Sequence, residues 1–118
     1  MINNNKIIID TPKAVIFDTD NTLYPYIPAH KEATHAVEAK VEKMLGISKE
    51  NFRSAFIEAR NDIKNRLGSV ASSHSRLLYM QATIERLELG TRILLTLDLE
   101  QTYWRTFLNS CKLFPGAL

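Results

Sequence analysis

Ala14-Val15-Ile16-Phe17-Asp18-Thr19-Asp20-Asn21-Thr22-Leu23-Tyr24-Pro25 is the stretch on which the reading of this chain turns. Its first four residues form an apolar run with the length and β-branched content of a buried strand, and Pro12 just upstream suits the start of one. Apolar residues at successive positions point to burial on both faces, as in a central strand of a parallel sheet. Ligands in open α/β sheets bind at the carboxyl ends of such strands. Asp18 and Asp20 stand at that end.

Side chains two apart on extended backbone point the same way, so Asp18 and Asp20 would share one small volume. Two ionised carboxylates so close repel each other; one takes up a proton or a cation joins them. A hard divalent ion such as Mg²⁺ suits oxygen ligands and substrate phosphate together. One carboxylate can then be a nucleophile and the other a general acid/base. Asn21 and Thr22 are turn formers whose side chains can tie the loop to itself.

Residues 17–25, Phe17-Asp18-Thr19-Asp20-Asn21-Thr22-Leu23-Tyr24-Pro25, resemble the first motif of the haloacid dehalogenase (HAD) superfamily, an apolar strand followed by Asp-x-Asp-x-Thr. The Asn-Thr-Leu-Tyr-Pro continuation is similar to the branch that holds pyrimidine 5′-nucleotidase-like phosphatases. The resemblance implies that Asp18 becomes an aspartyl-phosphate, and that Asp20 protonates the leaving group and then activates water. It implies that the Asp18 carboxylate and the Asp20 backbone carbonyl bind Mg²⁺, that Thr22 and Asn21 support the loop, and that the fold is α/β with a HAD-like Rossmannoid core. The dehalogenases of the superfamily lack the second aspartate, so Asp20 argues for phosphoryl transfer.

The rest of the chain reads as helical. Helices are expected from Ala29 to Leu45 with Val37, Val41, Met44 and Leu45 as the apolar stripe, and from Ser48 to Leu67 with Phe52, Ala55, Phe56, Ala59, Ile63 and Leu67. Pro28 is placed to open the first, and Gly46 and Gly68 to close the two. Asp62 and Arg66 have the spacing of an ion pair along one helix. After a small-residue loop, Ser69 to Ser75, come a third helix to Leu87 and a fourth over about Arg92 to Ser110. The fourth carries Ile93, Leu94, Leu97, Trp104 and Leu108 at helical spacing. Short connections favour antiparallel neighbours in a bundle. This chain is therefore expected to be mostly α, one core strand followed by four helices. Ile7-Ile8-Ile9 could begin the strand early or pack separately.

In the HAD family a helical cap follows the first motif, closes over the active site and selects substrate. The resemblance divides the chain into residues 1–27, first strand and catalytic loop; 28–111, cap; and 112–118, a return toward the core. The family's later motifs supply a phosphate-binding Ser or Thr, a Lys and further acidic ligands, and none can be assigned in residues 1–118. The chain is thus expected to be the N-terminal part of a longer phosphatase and inactive by itself, and its unpaired strand to favour self-association.

Composition excludes other classes. A net charge of +2 is too small to imply nucleic acid or membrane, and no apolar run approaches a membrane span. The lone Cys111 excludes an internal disulfide and fits a reducing cytoplasm, the expected location. The expected partner is a small phosphomonoester such as a nucleotide. Tyr24 could line the site, and His74 and Arg76, with neighbouring serines, could meet an anionic substrate or merely cap a helix. Arg53, Arg60 and Lys64 read as a solvated face, and His30 and His35 as packing or surface histidines. The alternatives to a phosphatase are a phosphotransferase and a helical interaction module whose Asp-x-Asp loop does no chemistry.

Overall fold

The computed structural model describes residues 10–118. Four helices carry the fold: α1 Tyr26–Leu45, α2 Lys49–Leu67, α3 Arg76–Arg86 and α4 Ile93–Ser110, with a 3₁₀ turn at Ala71–His74. No sheet forms among the described residues. The strand expected over Ala14–Phe17 does not form, and the only β pairing among the described residues is an isolated parallel bridge between Asp20 and Tyr24. Val15, Ile16 and Phe17 are 65%, 95% and 70% exposed, so the run has neither a packed face nor a paired edge. The reason is physical: a helix closes its own backbone hydrogen bonds, whereas a strand needs a neighbour to close them. Ile7-Ile8-Ile9 lies outside the described residues.

The helix ends follow local chemistry. α1 starts at Tyr26, three residues before the expected start, and Pro28 sits in its first turn, where a missing N–H costs nothing. It ends at Gly46, whose φ of 66° is the left-handed closure that glycine takes without strain. The Ser48 hydroxyl accepts the Asn51 amide at 3.2 Å to start α2. Ser75 does the same for α3 through the Leu78 amide at 3.4 Å.

α1 packs on α4, α2 on α3, and the two pairs join through α3–α4 and α1–α2 contacts. Ala29, Ala33, Val37 and Val41 give α1 a four-residue ridge, and Leu99, Tyr103 and Phe107 give α4 another. The alanines leave room for the two aromatic rings. Phe52, Met80 and Ile84 complete the core. The expected stripe of α4 lies on the wrong side: Ile93, Leu94 and Leu108 are exposed and Leu97 and Trp104 half-exposed, while Thr96, Leu99, Tyr103 and Phe107 are buried. α4 has two apolar faces, and the one that fits the alanine ridge of α1 wins. Met44 is likewise exposed rather than core.

Ion pairs set the helices in register. Glu38 of α1 is buried, and both its oxygens accept from Arg53 of α2, at 2.8 and 2.7 Å. Arg53 is therefore part of an inter-helix pair, not simply a solvated face. Lys40 reaches Asp98 across α1–α4 at 2.7 Å. The expected Asp62–Arg66 pair gives way to Arg86 of α3, which donates to both Glu58 and Asp62 of α2.

Candidate functional site

The acidic loop is a compact turn built on local hydrogen bonds. The Thr19 carbonyl accepts from the amides of Thr22 at 3.1 Å and Leu23 at 2.9 Å, and the Asn21 amide donates to the Tyr24 carbonyl at 2.8 Å. Asn21 has a φ of 58°, a conformation that asparagine tolerates better than most residues. Its side-chain oxygen accepts the Tyr26 amide at 3.0 Å, one of the amides that the start of a helix leaves without a partner. Pro25, at the cap position, offers no side-chain acceptor, and Asn21 supplies it from four residues back. The loop and α1 are thereby one piece. The Phe114 amide donates to the Leu23 carbonyl at 2.8 Å, so the segment after α4 returns alongside the loop.

Both carboxylates are exposed and each is held by a hydroxyl. Thr22 Oγ1 donates to Asp18 Oδ2 at 2.7 Å, and the Tyr24 hydroxyl donates to Asp20 Oδ1. Each aspartate keeps its other oxygen free of these contacts. The hydrogen bond to Asp20, and then burial, raise the Tyr24 phenol, which keeps it protonated as a donor. Tyr24 therefore touches Asp20 itself, rather than only lining the site. Its ring meets Phe107 edge-on at 5.9 Å. Cys111 is half-buried, and burial first and the Asp20 charge second push its thiol up, which suppresses the nucleophilic thiolate.

No group of three or more His, Cys, Asp or Glu side chains that could hold a metal occurs among the described residues. The Asp18 carboxylate and the Asp20 backbone carbonyl are nonetheless hard oxygen donors of the kind Mg²⁺ takes, and Mg²⁺ commonly uses one or two carboxylates together with substrate phosphate and water. The donor set fits such an ion as a partial site.

The other expected contacts divide. His74 is exposed on the 3₁₀ turn. Arg76 turns into the bundle, where its guanidinium lies 4.2 Å from the centre of the Tyr103 ring and 5.7 Å from that of Trp104 and donates to the Tyr26 hydroxyl. His30 stacks on Tyr26 with ring centres 5.2 Å apart, and its Nδ1 lies 2.7 Å from the Tyr103 hydroxyl. This group was not legible as a unit, because Tyr26, His30, Arg76 and Tyr103 are brought together from three helices. It stands on the α1 helix start that also carries the acidic loop.

Among curated proteins, the chain is similar to a ribulose-1,5-bisphosphate 5-phosphatase of Halopiger xanaduensis, 32% identical over 105 residues, which are 88% of this chain and 44% of that protein. The chain thus spans less than half the length of the curated relative it matches. No family model matches the chain, and no solved structure does. No helix among the described residues is long and apolar enough to cross a membrane.

Proposed function

We propose that this chain carries the nucleophile loop and the substrate-covering helices of a HAD-type, Mg²⁺-dependent phosphatase. The observation that carries the reading is the Asp18–Asp20 loop, in which each carboxylate is fixed by its own hydroxyl and left with one free oxygen. The similarity to a protein named as a phosphatase supports the same reaction class. That relative's named substrate is a sugar bisphosphate, so a small phosphorylated sugar stands beside a nucleotide as substrate.

In this reading the free oxygen of Asp18 attacks phosphorus and the bond to the leaving oxygen breaks, while Asp20 gives that oxygen its proton. Asp20 then removes a proton from water, which attacks the aspartyl-phosphate; phosphate leaves and Asp18 is restored. Thr22 holds Asp18 in one orientation, so little reorganisation is needed at attack. Tyr24 does the same for Asp20. Mg²⁺, held by Asp18 and the Asp20 backbone carbonyl, would neutralise charge on the phosphoryl oxygens. The helices 28–111 would form the cap.

The test is phosphate release by the intact gene product from ribulose 1,5-bisphosphate and from an aryl phosphate, with and without Mg²⁺. Turnover that needs Mg²⁺ and disappears in Asp18→Asn, with the helical circular dichroism unchanged, is the expected result. Equal turnover in Asp18→Asn would overturn the mechanism and favour the interaction-module reading.

A further inference from the structure

α4 keeps a second apolar face that the bundle does not use. Leu94, Leu97, Gln101, Trp104 and Leu108 follow one another in alternating steps of three and four residues, the repeat by which one helix packs along another. Leu94 and Leu108 are 83% and 68% exposed, Leu97 and Trp104 39% each, and Gln101 is exposed between them. With exposed Ile93 beside it, the stripe shows about 500 Å² of apolar surface, in the upper part of the range for the largest patch on a monomer. Contiguous patches of that size mark interaction sites, whereas single exposed apolar residues do not.

The charges beside the stripe select its partner. Asp98 and Arg105 stand seven residues apart, on one edge of it. The Asp98 side chain stays 45% exposed although it meets Lys40. Arg105 is exposed and makes no ion pair among the described residues. Consider α4 laid antiparallel on a copy of itself, the two-fold axis level with Thr102 and Tyr103. Leu97 then meets the partner's Leu108, and Gln101 meets the partner's Trp104, whose indole N–H gains a carboxamide acceptor. The same register sets Asp98 against the partner's Arg105, and symmetry makes that pair twice. A parallel pairing would match Arg105 with the partner's Glu100 but set Asp98 against the partner's Ile93. The open groove of about 710 Å³ between the end of α1 and the start of α4, lined by Met44, Leu45, Ile93 and Leu94 among others, continues the stripe. In the antiparallel register that groove faces the segment after the partner's α4, which carries exposed Leu113 and Phe114.

We propose that this face is a two-fold interface between two copies of the chain, α4 against α4 and antiparallel. Paired in this way the two faces cover about 1,000 Å² in total, the size at which specific interfaces begin, so dimerisation is expected at micromolar concentration. The competing occupant is the remainder of a longer gene product, since the chain spans 44% of the relative it matches. The proposal does not depend on which reaction the protein performs.

The test is analytical ultracentrifugation of the intact gene product across micromolar concentrations. The expected result is a reversible monomer–dimer equilibrium. Leu97→Asp puts an unpaired carboxylate into the stripe and should weaken it about a hundredfold or more, with the helical circular dichroism unchanged. Arg105→Asp sets acid against acid and Asp98→Arg sets base against base, so each variant alone should lose about tenfold or more in affinity. Mixed together, the two should dimerise again, because the mixed dimer regains both ion pairs. In a parallel dimer, Asp98→Arg would still pair with itself. A monomer at every concentration would overturn the proposal and leave the stripe to the rest of the gene product. A dimer untouched by Leu97→Asp would overturn it in favour of another surface, and failure of the mixture to dimerise would overturn the antiparallel register. Leu97 is partly exposed and outside the core, so its replacement keeps the test open even if Asp98→Arg, next to Lys40, disturbs folding.

Discussion

Replacing Phe107 by alanine should test whether one ring joins the acidic loop to the bundle. Phe107 is only 3% exposed, and its ring meets those of Tyr24, Tyr26, Tyr103 and Trp104 at centre distances of 5.9, 5.6, 5.9 and 5.5 Å. Truncating a buried Phe to Ala removes its transfer free energy and leaves a cavity, together about 3–5 kcal/mol. Trp104 is half-exposed and can move into the space, which argues for the lower end, about 3 kcal/mol. For a chain of this length, that corresponds to a fall of roughly 12 °C in Tm. A domain this size has about 5–15 kcal/mol in hand, so the variant should still fold and give a measurable urea transition by circular dichroism at 222 nm. Phe107→Leu keeps most of the volume and should cost about 1–1.5 kcal/mol. The near-ultraviolet signal of the tyrosines should fall in the alanine variant under native conditions, since Tyr24 and Tyr26 lose their common wall. A loss below about 1 kcal/mol with an unchanged near-ultraviolet spectrum would refute the claim that this ring couples loop to bundle.

Other outcomes follow from the same contacts. Ser48→Ala removes the acceptor for the Asn51 amide and should cost about 1 kcal/mol in urea unfolding. Gly46→Ala has open space for its methyl group but must take a φ of 66°, so it should destabilise by about 1 kcal/mol through backbone strain alone. Burial first, and then the charges of Arg76 and Arg60, lower the His30 pKa. The unfolded chain then binds a proton before the native one does, so stability should be full above about pH 6.5 and decline as pH falls from there toward the lowered native value. His30→Asn should flatten that decline between pH 7.5 and 5.5, and an unchanged slope would show that His30 is not its source.

Much of the bundle could be read from the residues in order. The start of α2 and the ends of α1 and α2 followed from serine and glycine punctuation, since caps are local chemistry, whereas α1 begins three residues before the expected start. Asn21 and Thr22 were legible as turn formers able to tie the loop to itself, and in the structure Thr22 reaches Asp18, four residues back. The pairing of Tyr24 with Asp20 was not, although the same spacing applies; a tyrosine after a turn packs as readily as it donates. The buried face of α4 was misjudged because that helix is apolar on two sides, and no periodicity within one helix says which side meets a partner.

The sequence by itself determined what neighbours along the chain decide: where helices start and stop, and that Asp18 and Asp20 share a turn with Thr22. Tertiary structure alone decided that the run from Ala14 to Phe17 stays unpaired among the described residues, since strand hydrogen bonds come from another segment. It also decided the burial of Glu38 against Arg53 and the meeting of His30, Arg76 and Tyr103. Those contacts join residues far apart in sequence, and only the packing of the helices sets the distances between them.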